Sequence, residues 1–186
     1  MGRFLRDQAK TQGLNITEQL NSGMRFVDFR LVWSKGPQKF TPYDWYSLHL
    51  VQTNQKALVY FQEIRTWLDS HPNEIVVMML TRHGNTCLNN TDQYPGTTPE
   101  IRQSFWKSVE SVFQGMLFDT SVSRANETSV SSLLARGHRV VMYAADWANF
   151  TNSSPLAYDS CLFLENVAFP ESTGVTNETF NQPGEI

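Results

Sequence analysis

The sequence lacks several features that would place the protein in a membrane or on nucleic acid. None of its apolar runs approaches the roughly 18 residues that a membrane-spanning helix needs. The N-terminal stretch MGRFLRDQAKTQG is polar and has no apolar h-region, so we predict no signal peptide there. A strongly basic surface is missing as well, because the net charge is −3. This mild acidity argues against nucleic acid as a partner.

Cysteine is scarce, since Cys87 and Cys161 are the only two in the chain. An even number is compatible with one disulfide in an oxidising compartment, and two unconnected buried thiols are the alternative. A bridge would tie the loop at 82–97 to the C-terminal region. In the chain-entropy view it would contribute about 4 kcal/mol to stability. The sequence leaves both interpretations open.

Glycosylation sequons, in contrast, are abundant. Thirteen asparagines should give roughly two Asn-x-Ser/Thr triplets by chance, yet there are six: Asn15, Asn89, Asn126, Asn149, Asn152 and Asn177. The excess predicts a glycosylated protein that is secreted or enters the lumen of the secretory pathway. A polar cytosolic surface is the alternative. Sequons without a signal peptide are reconciled most simply if the natural protein begins upstream of Met1.

Strand-forming segments alternate with helical ones along the chain, which predicts an α/β fold with a parallel sheet of four or five strands. We see no repeats and no linker-like break, so residues 1–186 are expected to form one domain with a loop-like tail at 170–186. A complete eight-stranded barrel needs roughly 250 residues. The chain is therefore either an incomplete barrel or a smaller open sheet. The predicted strands are 24–33, 45–51, 75–80, 139–145 and 161–164, and the predicted helices begin at Asn15, Asn54, Thr98 and residue 129.

Ionisable side chains interrupt two of the predicted strands. Asp28 and Arg30 share one face of the first strand, and His49 lies near the C-terminal end of the next. In parallel α/β folds the carboxyl ends of the strands build the active site. A catalytic site and a structural ion pair with a satisfied histidine are both consistent with this spacing.

The segment from Gln19 to Arg30 resembles a known signature. It has the sequence Gln-Leu-Asn-Ser-Gly-Met-Arg-Phe-Val-Asp-Phe-Arg, which is similar to the Gln-Leu-x-x-Gly-x-Arg-x-x-Asp-x-Arg pattern of phosphatidylinositol-specific phospholipase C X domains. The likeness continues through His49, the His71-Pro-Asn-Glu74 turn and the strand that follows it. It covers residues 11 to about 82 well and the rest loosely.

This resemblance implies a distorted TIM-type (β/α) barrel, with about four or five of its βα units present in this chain. It also implies a role in lipid metabolism, in which a phosphodiester next to an inositol or a similar polyol is cleaved. A histidine base takes the proton of a neighbouring hydroxyl that attacks phosphorus, and a second histidine protonates the leaving alkoxide.

Three residues occupy the signature positions of that chemistry. His49 occupies the position of the general acid and Arg30 that of the arginine that holds the phosphate. Asp28 occupies the acidic position of the family, from which we expect it to orient Arg30. Because an arginine stands where calcium-dependent members have an acidic ligand, we expect no cofactor and no calcium requirement. The expected partners are a phosphoinositide or another phosphodiester and, through it, a membrane surface. Oligomeric state is not predicted.

One part of the family pattern is missing. The first histidine of the family lies upstream of the Gln-Leu motif, in a segment that resembles Pro-Gly-Ser-His-Asp, and nothing before Gln19 contains a histidine. We therefore expect the chain as printed to be inactive or nearly so. The alternative function is a non-catalytic descendant that binds inositol lipids or glycans. A third possibility is an unrelated α/β protein in which Asp28 and Arg30 form a structural pair.

Other candidates follow from position alone. Arg82 and Asp146 each come at the end of a predicted strand and are candidates for contact with the substrate. His71 and His138 lie in a helix-stop turn and at a strand entry, where we expect them to be solvated.

Overall fold

The computed structural model describes residues 13–37, 41–49, 51–84, 92–121, 123–144 and 157–159, and the side chains at 82–84, 126 and 158–159 are not described. Within these ranges no helix is long and apolar enough to cross a bilayer. The described elements are α1 (Ile16–Asn21), β1 (Phe26–Lys35), β2 (Tyr43–His49), β3 (Val51–Lys56), α2 (Ala57–Ser70), β4 (Val76–Gly84), α3 (Pro99–Val112), a 3₁₀ turn (Ala125–Glu127), α4 (Val130–Ala135), β5 (Val140–Ala144) and β6 (Tyr158–Asp159).

The strands form one mixed sheet in the order β3-β2-β1-β4-β5-β6. The pairs β1–β4, β4–β5 and β5–β6 are parallel, as the alternation of strands and helices predicts. The pairs β1–β2 and β2–β3 are antiparallel, so the expectation of an all-parallel sheet is wrong for this half. The connection between β1 and β2 is too short for a crossover helix, and a hairpin is the only pairing such a connection allows.

Residues 51–56 form a strand, whereas the sequence predicts that a helix begins at Asn54. The helix begins instead at Ala57, with Lys56 at the N-cap position and no side-chain cap. Strand β3 pairs with β2, and Nζ of Lys56 lies 2.6 Å from Oδ2 of Asp44 on that neighbouring strand. Pairing with the sheet edge therefore prevails over the local capping preference of Asn54.

The other helix starts are confirmed. Oδ1 of Asn15 accepts a hydrogen bond from the backbone N–H of Glu18, whose carboxylate accepts one from the backbone N–H of Asn15 in return. This reciprocal pair is a capping box, which satisfies two N–H groups that the first helical turn would otherwise leave unpaired. The side chains of Thr98 and Ser129 cap α3 and α4.

The main core lies between one face of the sheet and helices α1, α2 and α3. Phe61 of α2 is at its centre, fully buried, with its ring centroid 4.8 Å from that of Phe29 and 6.1 Å from those of Phe105 and Phe113. A second, smaller cluster of Phe118, Leu133, Val141 and Tyr143 covers part of the opposite face of the sheet. The polar residues of β1 share that opposite face.

Arg25 and Glu74, which both belong to the family-like pattern, form a structural link rather than part of a cleft. Nε of Arg25 donates to Oε2 of Glu74 at 2.8 Å, and Nη1 of Arg25 donates to the carbonyls of Leu20 and Met24. The guanidinium also lies over the ring of Trp67, 4.6 Å from its centroid. Arg25 therefore joins the end of α1, helix α2 and the start of β4.

This link makes a pH-dependent contribution to stability. The hydrogen bond from Arg25 holds the pKa of Glu74 below its ordinary value of 4.5. Since the folded-state pKa is lowered, the contribution is present above that ordinary value and is lost as the pH falls through the folded pKa. We expect Glu74→Gln to reduce the free energy of unfolding by up to about 1 kcal/mol at neutral pH, because both side chains are partly exposed.

The difference between Glu74→Gln and the parent should shrink as the pH falls below about 4.5, which urea titrations across the acidic range would measure. Glu127→Gln is the matched control, since its partner Arg124 lies 3.7 Å away and both side chains are largely exposed. A Glu74→Gln deficit that stays constant with pH would refute the assignment.

Candidate active site

A cleft of about 240 Å³ opens beside β1 and β2, and its lining contains the three predicted catalytic residues. The described residues around it are Asp28, Arg30, Ser47, Leu48 and His49. A carboxylate, a guanidinium and an imidazole thus line one small cavity. Two larger grooves, lined by parts of α1 and α2 and by parts of α3 and its C-terminal loop, contain none of the three.

The antiparallel pairing explains why His49 reaches the level of Asp28 and Arg30. The register runs from Lys35–Tyr43 to Leu31–Ser47, and His49 lies two residues further along β2. As β2 advances towards His49, it runs back towards the first half of β1, where Asp28 and Arg30 lie. The sequence argument expected the residues to meet at the carboxyl ends of parallel strands, and that reason is wrong.

Asp28 and Arg30 form an ion pair that is anchored from a third strand. Nε of Arg30 donates to Oδ2 of Asp28 at 3.2 Å, and Oγ1 of Thr81 donates to Oδ1 of the same carboxylate at 3.1 Å. The side chains of Arg30 and Asp28 are 42% and 27% exposed, so a ligand in the cleft can reach both. The two Nη groups make no hydrogen bond with the described residues, and they can therefore bind an anion bidentately.

His49 is exposed, and its ring makes no hydrogen bond within the described residues. The hairpin that carries it is tied internally. The backbone N–H of Ser47 donates to Oγ1 of Thr53 at 3.2 Å, and this hydroxyl donates to the carbonyl of Gln55 at 2.9 Å. The imidazole of His49 is accessible and lies on a hydrogen-bonded strand, so it can exchange a proton with a molecule bound in the cleft.

The described lining residues of the cleft offer few oxygen ligands for a metal ion. Ca²⁺ takes six to eight oxygen ligands, whereas the only carboxylate among the described lining residues is Asp28, which is already paired with Arg30. In the part of the chain that the structure describes, no three His, Cys, Asp or Glu residues are grouped to hold a metal. The positive guanidinium would also repel a cation placed beside Asp28.

The remaining predicted site residues are placed only in part. Arg82 lies in β4 one residue after Thr81, and its side chain is not described. Asn126 lies in the 3₁₀ turn, and its side chain is not described. The other predicted residues lie outside the described ranges: Asp146, Cys87, Cys161, Asn89, Asn149, Asn152 and Asn177. Asn15 is exposed and caps α1 through its oxygen.

The two histidines that we expect to be solvated, His71 and His138, are half-buried, and each packs against an aromatic ring. The ring of His71 stacks on that of Trp67 with centroids 4.1 Å apart, and Nδ1 lies 2.7 Å from the carbonyl of Trp67. His138 packs edge-on against Phe118, and its Nδ1 is buried without a hydrogen-bond partner among the described residues. Both pack against neighbouring aromatic rings because the helix-stop turn and the strand entry fold back onto the core.

Sequence reasoning missed Ser47 and Leu48, which line the cleft, and Thr81, which hydrogen-bonds to Asp28. Alternation along β4 puts Val77, Met79 and Thr81 on one face, and the register pairs Thr81 with Arg30. The alternation of side chains along β4 can be inferred from the sequence, whereas the register between β1 and β4 cannot.

Comparison with known proteins identifies relatives for nearly the whole chain. The model of the PI-PLC X family (PI-PLC X 1) matches residues 4–182. A curated relative, the human PI-PLC X domain-containing protein 1, is 26% identical over 137 residues, which cover 73% of this chain and 36% of the relative. The chain thus spans about a third of the length of that relative.

Two solved structures share the fold. One is a calcium-dependent phosphoinositol-specific phospholipase C from a Gram-negative Pseudomonas species, with a TM-score of 0.53, 15% identity, and coverage of 78% of this chain and 58% of that one. The other is a double mutant of the phosphatidylinositol-specific phospholipase C from S. aureus, with a TM-score of 0.52, 22% identity, and coverage of 73% and 40%.

Proposed function

The chain belongs to the PI-PLC X family, and from this premise we propose that it is the phosphate-handling part of a phosphoric diester hydrolase that acts on phosphatidylinositol or a similar polyol phosphodiester. The observation that carries the proposal is the cleft shared by Asp28, Arg30 and His49. It combines a guanidinium for the phosphate with an imidazole for proton transfer.

Each residue has a distinct role in this proposal. Arg30 binds two phosphoryl oxygens through its Nη groups and stabilises the charge that develops in the transition state. Asp28 fixes the guanidinium by accepting its Nε–H. His49 protonates the leaving alkoxide. The base that activates the attacking hydroxyl is not among the described residues of the cleft, so we assign only the acid and the anion-binding group.

We also propose that the reaction needs no calcium. The support is electrostatic: the only carboxylate among the described residues of the cleft is already paired with a permanent cation, and the guanidinium takes the place at the phosphate that a metal would otherwise hold. We further propose that the mixed sheet is part of a (β/α) barrel, because the family to which the chain belongs implies this fold and the chain covers only 40% and 58% of the two structures that share it.

The test is release of water-soluble inositol phosphate from phosphatidylinositol vesicles in the presence of a calcium chelator. Both the chain as printed and the longest natural form of the protein that contains it should be assayed. We expect turnover by the longer form, unchanged by the chelator, and vesicle binding by both. Binding without turnover by either form would replace the hydrolase with a non-catalytic inositol-lipid-binding protein. If both forms fail to bind the vesicles and fail to release inositol phosphate, both proposed functions are refuted.

A further inference from the structure

Thr81 is the only described residue from outside the β1–β2 hairpin whose side chain hydrogen-bonds to the side chains of Asp28 and Arg30. It lies on β4, directly beside Arg30 in the parallel register. The carboxylate of Asp28 accepts from Thr81 at Oδ1 and from Arg30 at Oδ2, so each oxygen has one protein donor. The three side chains form a chain of contacts from β4 to the cleft.

The Asp28–Arg30 contact needs such an anchor. Both side chains are partly exposed, and an exposed ion pair on its own holds its geometry weakly. A carboxylate on β1 can rotate about two side-chain bonds, and each rotamer directs the guanidinium differently. The hydrogen bond from Thr81 selects one of them. Threonine suits this role, because its branched Cβ limits the χ1 rotamers and therefore the positions that Oγ1 can take.

The backbone places Thr81 at the last regular position of the β1–β4 pairing. Arg30 pairs with Thr81, but the next pair is Val32 with Gly84, so β4 contains one more residue than β1 in this interval. This is the pattern of a β-bulge, which ends regular alternation and redirects the side chains that follow. Thr81 is therefore the last residue of β4 that regular alternation places on the same face of the sheet as Arg30.

We infer that Thr81 is a positioning residue: it acts through Asp28 to orient Arg30 so that the Nη edge of the guanidinium faces the bound phosphate. This inference rests on the proposed function, because it requires that Arg30 binds a phosphate in the cleft. Thr81 itself touches neither the phosphate nor the leaving group.

The experiment is calorimetric titration of the chain with myo-inositol 1-phosphate. We expect Thr81→Val, which keeps the shape and removes the hydroxyl, to weaken binding about three- to tenfold through loss of one hydrogen bond to a carboxylate. Thr81→Ser should bind within about twofold of the parent, because it restores the donor. Circular dichroism of each variant verifies that the fold is kept.

A double-variant cycle separates positioning from general packing. If Thr81 acts through Asp28, adding Thr81→Val to Asp28→Ala, which removes the acceptor of the Thr81 hydroxyl, should weaken binding much less than it does in the parent. Equal affinity of Thr81→Val and the parent, or full additivity with Asp28→Ala, would overturn the role of Thr81 while the proposed function stands. No binding by the parent chain would instead overturn the proposed function on which the inference rests.

Discussion

His49→Ala is expected to lower the turnover of phosphatidylinositol by about 10²–10⁴-fold in the catalytically active form of the protein, which is the range for loss of a general acid. His49 is exposed in the cleft, and its ring has no hydrogen-bond partner in the described part of the chain, so its removal should leave the fold intact. Steady-state kinetics at saturating vesicle concentration would measure the loss in kcat.

The identity of the leaving group makes this prediction specific to an acid. A phosphodiester with a nitrophenolate leaving group needs little protonation, so His49→Ala should impair its cleavage far less than that of the alkyl ester. His71→Gln is the matched control: this histidine stacks on Trp67 and lies outside the cleft, and its replacement should leave kcat unchanged. An equal loss on both substrates would exclude the role of His49 as general acid.

Phe61→Ala is expected to produce the largest loss of stability, about 3–5 kcal/mol in the free energy of unfolding. The ring is fully buried, and it contacts aromatic rings from β1, from α3 and from the residue that follows α3. Its truncation would leave a cavity where the sheet and two helices meet. Denaturation in urea, analysed with a linear extrapolation, would measure the change.

Val59→Ala tests whether that loss comes from burial. Val59 lies on the same helix, two residues away, but is 36% exposed. Its truncation should change the free energy of unfolding by no more than about 0.5 kcal/mol. Similar losses for the two variants would contradict the central position of Phe61 in the core.

The sequence predicted the parallel half of the fold well because its signals there are local. The unbroken apolar stretch before Thr81 and the caps at Asn15 and Thr98 each depend on neighbouring residues alone. The β2–β3 hairpin was missed for the opposite reason. Strand β3 is a polar edge strand that buries little, and its pairing with β2 is a contact that no local pattern in residues 51–56 specifies.

The residues of the candidate site also differ in whether local sequence reveals them. Asp28 and Arg30 are recognisable because two charges interrupt an otherwise apolar strand, and the family-like signature draws attention to His49. Arg25 and Glu74 belong to the same pattern, yet they join secondary-structure elements away from the cleft. Only the register between β1 and β4, which follows from packing of the whole sheet, shows that Thr81 belongs with Asp28.

The antiparallel pairing of β1 and β2 also bears on the order in which the site can assemble. Because Arg30 and His49 lie on the two arms of one hairpin, they meet once a single short loop closes, at a small entropic cost. Thr81 reaches Asp28 only after β3, α2 and the crossover to β4 are in place, which is a contact of much greater sequence separation. His49 and Arg30 therefore belong to a local unit of the chain, whereas the contact between Thr81 and Asp28 depends on the tertiary fold.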